Sequence, residues 1–158
     1  MISEYQFPDE HLEPDPRYKS KLVSKFINYI MHRGKKSVAQ RLFYDAMEVV
    51  TERVEEDPLV AFQTALSNVA PIIEVRSRRI GGMTYQVPTE VDNKRRVALA
   101  MRWLAFAARS KVGRPMHLRL ADEIVDAYHR QGAAYERRET THKMAEANRA
   151  FAHFARRR

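Results

Sequence analysis

Three arginines, Arg76, Arg78 and Arg79, fall within four residues of one another on a stretch of strand character. The guanidinium is a planar fork that meets phosphate oxygens or a guanine edge with paired hydrogen bonds. Side chains alternate along a strand, so Arg76 and Arg78 share one face and Arg79 takes the other. A single charge is enough to blunt a strand edge. Three, without matching acids, exceed that need and point to a bound polyanion.

Three further basic clusters repeat the theme. His32-Arg33-Gly34-Lys35-Lys36 is a turn leading into a helix, where free N–H groups and the positive end of the dipole favour phosphate. A solvated turn explains that cluster equally well. Lys94-Arg95-Arg96 precedes Arg102 and Arg109. Arg95, Arg102 and Arg109 are seven residues apart and so lie close to one helical face, and Lys111 and Arg114 carry the stripe into a loop. Trp103, the single tryptophan, reads as core packing in preference to base stacking. The last cluster holds Arg137, Arg138, Lys143, Arg149 and the terminal Arg156-Arg157-Arg158, against Glu136, Glu139 and Glu146. Basic tails of this kind bind nucleic acid with little sequence preference.

Catalytic patterns are absent by contrast. The six histidines are scattered and none forms His-Glu-x-x-His. Without cysteine there is neither a thiolate metal site nor a cysteine nucleophile. Gly81-Gly82 lacks the Gly-Lys-Ser/Thr of a phosphate-binding loop. The expectation is a binding protein with no enzyme activity, no cofactor and no metal.

Composition agrees. The 158 residues are 44% hydrophobic and 30% charged, enough for one domain with a real core. The net charge is +8, unevenly spread. Residues 1–16 hold five acids and no Lys or Arg, which leaves 28 basic residues against 15 acids from Arg17 onward, a net of +13. Nucleic acid fits such separated clusters better than a membrane surface, which favours one long amphipathic helix. No run approaches the roughly 20 apolar residues of a spanning helix, and Met1 to Pro16 has no secretory pattern. The absence of cysteine suits a reducing compartment.

The elements that must position these clusters read as mainly α: about six helices in a single domain, with a β-hairpin protruding between the third and fourth. Residues 1–17 read as an extended acidic arm, 18–154 as the helical domain and 155–158 as a basic tail. Leu22, Val23, Phe26, Ile27 and Ile30 share one helical face, closed by Gly34. Ser37 and Gln40 read as a capping box for the second helix. Asp57-Pro58 reads as the N-cap and first residue of the third. Residues 72–87 break the helical period: two β-rich runs flank Gly81-Gly82, and Pro88 reads as the stop. A fourth helix follows Asp92, Pro115 opens a fifth, and a last helix is expected over about 133–154. Two strands alone are marginal in water, so the hairpin must lean on helices or on a partner.

Four segments together resemble the small-subunit ribosomal protein seven family, of bacterial or organellar type. They are Leu22-Val23-Ser24-Lys25-Phe26-Ile27-Asn28, Gly34-Lys35-Lys36-Ser37, Val75 through Pro88, and His142 through Phe154, with Arg102-Trp103-Leu104 in keeping. The resemblance spans about residues 15–154. It implies a six-helix body with a protruding hairpin, bound to the 3′ major domain of small-subunit rRNA. There the family helps nucleate assembly of the head, near exit-site tRNA and beside ribosomal protein eleven and, by the same resemblance, nine. Some relatives also bind their own mRNA. Lys35, Lys36, Arg76, Arg78, Arg79, Arg95 and Met116 match family positions expected at rRNA. The basic clusters add Arg33, Lys94, Arg96, Arg102, Arg109, Lys111, Arg114, Arg138, Lys143 and Arg149 as expected rRNA contacts. Gly81, Gly82, Met83 and Thr84 form a tip expected to approach tRNA. The place implied is the ribosome, in the cytoplasm or in an organelle's matrix or stroma. Family members usually begin with a basic arm, and the acidic residues 1–16 depart from that pattern. The competing readings are a helical DNA-binding regulator, which would need a base-reading helix, and an RNA-processing enzyme, which would need convergent acid and base groups.

Overall fold

The computed structural model describes residues 12–156. Six α-helices, a two-stranded antiparallel sheet and a C-terminal 3-10 segment follow one another as α1 (Lys21–Ile30), α2 (Lys36–Val54), α3 (Pro58–Val69), β1 (Ile73–Ile80), β2 (Met83–Glu90), α4 (Asn93–Ser110), α5 (Met116–Tyr128), α6 (Gly132–Ala147) and the 3-10 segment Arg149–Arg156. The mainly α fold with a hairpin between α3 and α4 is the one the sequence predicts.

The apolar periods build one core. Phe26 of α1, Phe43 of α2 and Phe62 of α3 are fully buried, and their ring centroids lie 5.0–5.8 Å apart. Tilted and edge-on contacts at that range add to what area burial alone provides. Helix α5 is the hub: it packs on α2, α3, α4 and α6 through Leu120, Ala121, Ile124 and Ala127. No described helix is long and apolar enough to cross a membrane.

Helix ends show where local patterns held and where they gave way. Asp57 caps α3 as predicted, accepting hydrogen bonds from Leu59 N (2.9 Å) and Val60 N (3.1 Å). The capping box at Ser37 does not form. The N-cap is Lys35, two residues before Ser37, and α2 begins at Lys36, directly after the left-handed pair Arg33 (φ 51°) and Gly34 (φ 75°). Pro115 is the N-cap of α5, which starts at Met116. The last helix is shorter than predicted: the α-helix ends at Ala147, and the chain continues as the 3-10 segment that packs against β2.

Residues 1–11 of the acidic arm lie outside the described residues. Within 12–17 the chain turns inward. Asp15 is 1% exposed and accepts from Arg17 N and Tyr18 N, both at 3.0 Å, and from the Tyr44 hydroxyl at 2.7 Å. Burial, and then this carboxylate, push the Tyr44 hydroxyl up to about 12. One of the arm's acids is therefore a fold-holding group.

Candidate nucleic-acid interface

The hairpin turns through Gly81 (φ 57°) and Gly82 (φ 84°), both left-handed, as a two-residue loop between right-twisting strands requires. Pairing runs from Ile73 opposite Glu90 to Ile80 opposite Met83. The second strand therefore passes through Pro88 and does not stop there. In a two-stranded sheet each strand has a free edge, so proline's missing N–H costs no ladder bond on the outward side.

The base of the hairpin is embedded. Val87 and Pro88 are buried, and so is Glu74 at 7% exposure. The Glu74 carboxylate accepts from Arg76 Nε at 2.6 Å and from Arg95 Nε at 2.8 and 2.9 Å. Arg76 thus has a matching acid after all, one that also reaches across to α4. Burial pushes the Glu74 carboxyl up, but the hydrogen bonds and charges of Arg95 and Arg76 outweigh it and hold the group below its ordinary 4.5. Glu74's even spacing from Arg76 and Arg78 puts it on their face of the strand, a signal present in the sequence alone.

Arg78 donates to the Phe154 carbonyl at 3.1 Å, and Tyr85, directly opposite Arg78, lies 5.3 Å from Phe151 and 5.2 Å from Phe154. The C-terminal segment is thereby clamped to the hairpin. Arg79 lies on the other face and is exposed. At the tip, Gly81, Gly82, Met83 and Thr84 are all exposed, Met83 at 64%.

Helix α4 links the hairpin to the turn before α2. Arg95, Arg102 and Arg109 are exposed along it, and the 14 residue steps from first to last span about 21 Å at 1.5 Å per residue. Arg95 is held to the hairpin base through Glu74. Arg109 donates to the carbonyls of Tyr29 (3.1 Å) and Ile30 (3.2 Å), closing the C-terminal end of α1. The His32–Lys36 turn follows immediately. Two clusters far apart in sequence become the ends of one basic rail.

Several predicted contact residues also have work inside the fold. Arg96 donates to the Pro71 carbonyl at 3.2 Å. Lys111 pairs with buried Glu123 at 2.8 Å and with Asp126 at 3.3 Å. Glu123 also accepts from Ala134 N at 2.8 Å, at the start of α6. Burial pushes the Lys111 ammonium down, and these two acids more than offset it and hold it above its ordinary value. Arg114 pairs with Asp122 at 2.7 Å, Arg138 with Glu139 at 2.9 Å and Arg149 with Glu146 at 3.4 Å. Met116 is half-buried against the core. In contrast, Arg33, Lys35, Lys36, Arg79, Lys94, Arg102, Arg137 and Lys143 are exposed and have no ion pair or side-chain hydrogen bond within the described residues. Arg157 and Arg158 lie outside them.

The family model described as ribosomal protein S7p/S5e matches residues 2–149. Curated relatives named small ribosomal subunit protein uS7 align over nearly their whole length. That of Natranaerobius thermophilus is 53% identical over 147 residues, covering 93% of this chain and 94% of the relative. That of Thermosipho africanus is 55% identical over 141 residues, covering 89% and 91%. That of Desulfatibacillum aliphaticivorans is 50% identical over 149 residues, covering 94% and 96%.

Proposed function

Because this chain belongs to the ribosomal protein S7p/S5e family, it is a structural constituent of the small ribosomal subunit with rRNA and neighbouring ribosomal proteins as partners, and we propose that the α4 rail and hairpin base grip the 3′ major domain of its rRNA. It is not an enzyme. The observation that carries the reading is the continuity of the rail: Glu74 joins the hairpin to Arg95, and Arg109 joins α4 to the C-terminal end of α1, just before the Arg33–Lys36 turn. A single stretch of RNA backbone laid along α4 reaches all three clusters. Binding there holds the hairpin relative to the helical body, which suits a protein that helps nucleate the subunit's head.

The hairpin tip, Gly81 to Thr84, is narrow, uncharged and exposed, and it is the part we assign to the neighbourhood of exit-site tRNA. Ribosomal proteins eleven and nine of the small subunit are the proposed protein neighbours. The protein's own mRNA is a further proposed ligand of the same basic surface.

The test is RNA binding across a salt series. A 3′-major-domain fragment is compared with unrelated RNA of equal length and with duplex DNA. Tighter binding of the fragment is expected; equal affinity for all three sinks the specific reading. Arg79→Ala combined with Lys94→Ala removes two exposed cations that have no intramolecular partner among the described residues. Each phosphate contact contributes about one to the salt slope, so the pair should flatten it by up to roughly two. An unchanged slope would take both residues off the phosphate backbone.

A further inference from the structure

A cleft of about 360 Å³ opens between the middle of α4 and the first turns of α6. That is within the roughly 300–1,000 Å³ of clefts that take small organic ligands. Trp103, Phe106 and Ala107 on α4 and Ala133 on α6 form its apolar walls, and Arg102 and Arg137 stand at its rim. The residues follow from helical spacing. Positions 102, 103, 106, 107 and 110 make one face of α4, and 133 and 137 one face of α6. The small side chains of Ala107 and Ala133 leave the space that larger ones would fill.

Three features mark this cleft off from ordinary surface. Phe106 is 71% exposed, so most of its ring is open to whatever enters the cleft. Trp103 is partly buried against the core, yet it also lines the cleft, so its indole is braced. Arg102 and Arg137 are exposed without an ion pair or side-chain hydrogen bond among the described residues, and no acid lines the cleft. Two aromatic side chains flanked by two available guanidinium groups are the chemistry that takes an unpaired nucleobase together with its adjoining phosphates. A protein segment would use the apolar walls but would leave both cations uncompensated unless it brought acids of its own. Arg102 is also the middle residue of the α4 rail, so backbone lying on the rail passes the mouth of the cleft.

We propose that this cleft is a single-nucleotide pocket: one unpaired base of the bound RNA inserts against Phe106 and Trp103, and Arg102 and Arg137 hold the phosphates on either side. The proposal rests on the rRNA-binding reading above and sharpens it. The rail grips backbone without regard to sequence, while the pocket requires a base free of its duplex. It therefore selects a bulge, loop or junction over continuous helix.

Trp103 is the only tryptophan, so its emission reports directly on the cleft. The intact protein is titrated with the 3′-major-domain fragment and with a blunt, fully paired RNA duplex. Emission should be quenched at saturation by the fragment and unchanged by the duplex. Phe106→Ala, at an exposed position, should weaken fragment binding roughly tenfold without changing the salt slope, because base stacking releases no counterions. Arg137→Gln should lower the slope by about one. Tight fragment binding with unchanged emission, and with Phe106→Ala equal to the parent, overturns the pocket and leaves the cleft to a neighbouring protein. The proposed function is judged separately, by the comparison of fragment, unrelated RNA and DNA. It can stand when the pocket falls.

Discussion

The base and the tip of the hairpin are built from the same two strands, yet they are held in opposite ways. At the base, Glu74, Val87 and Pro88 are buried, Arg76 and Arg95 converge on one carboxylate, and Tyr85 packs on the rings of Phe151 and Phe154. At the tip, Met83 and Thr84 are exposed, and a Cβ added to Gly81 or Gly82 would meet nothing within 4 Å. Two strands alone do not hold together well in water. The base supplies what they lack and leaves the tip free of packing constraints. The two ends divide the labour: charge at the base ties the hairpin to α4, whereas the tip is presented by a scaffold to which it contributes little.

The sharpest way to break that division is to remove Glu74. Glu74→Ala leaves Arg76 and Arg95 facing each other without their shared acid, and it exposes a void at the base. Both arginines are about half exposed, at 53% and 46%, so solvent relieves part of the repulsion. A loss of about 2 kcal/mol is expected, below the 3–5 kcal/mol typical of a fully buried pair. Chemical denaturation measures it. Acid should mimic the substitution. The Glu74 carboxyl is held below its ordinary 4.5, so its contribution is fully present above that value and is lost as pH falls through the folded-state value. A Glu74→Ala protein should lack that acid-side component. If the two proteins lose stability in parallel below pH 4.5, the carboxylate is not what holds the base.

Next in size is the aromatic clamp. Tyr85→Ala should cost about 1–2 kcal/mol, because Tyr85 is half-buried and meets two rings. Pairing it with Phe154→Ala in a double-mutant cycle should give a coupling of roughly 1 kcal/mol. Zero coupling would mean that the 3-10 segment lies beside the hairpin without bracing it.

The contrast between base and tip was half legible in the sequence. Gly81-Gly82 between β-rich runs announced the turn, because few residues accept two consecutive positive φ values. The second strand runs through Pro88 to Glu90, since proline halts a central strand but is tolerated where one side of the strand has no neighbour. The arginines were visible as charges, but their organisation was not. Glu74 and Arg95 are 21 residues apart, and Arg109 meets Ile30 across 79. No local pattern encodes such pairs; they exist only in the assembled fold, where α4 meets α1 and the hairpin base. The capping box at Ser37 failed for a related reason. The left-handed turn at Arg33 and Gly34 leads into α2 at Lys36, which puts Ser37 inside the helix. Trp103 packs on the core and lines the cleft at once, and a side chain that does both has no distinct periodicity.

A smaller effect should appear where α6 meets the start of the hairpin. Ile72 N–H donates to His142 Nε2 at 3.1 Å, which requires that nitrogen to be unprotonated. Burial, and then the Arg138 charge, hold His142 below its ordinary 6.5 against a weaker opposing pull from Glu139. The sign follows. The neutral form is favoured in the fold, so this contact is fully present above pH 6.5 and weakens as pH falls from there through the folded-state value. Protection of the Ile72 amide from hydrogen exchange should drop across that window, once the intrinsic pH dependence of exchange is divided out. Protection that stays flat from pH 7.5 to 5 would mean that His142 is not the acceptor.

The smallest effect belongs to the tip, and its smallness is the point. Met83 is 64% exposed, and its sulfur accepts from the Tyr85 hydroxyl at 3.8 Å. Met83→Ala should change stability by no more than about 0.5 kcal/mol, the range of ordinary surface substitutions. It should also leave affinity for the 3′-major-domain fragment unchanged, because no cation is lost and the base is untouched. If the tip approaches tRNA, the change should appear only with the protein assembled in the subunit, as weaker retention of tRNA at the exit site. A loss above 1 kcal/mol in the isolated protein would show that the tip packs against the body. The division between a holding base and a presented tip would then be wrong.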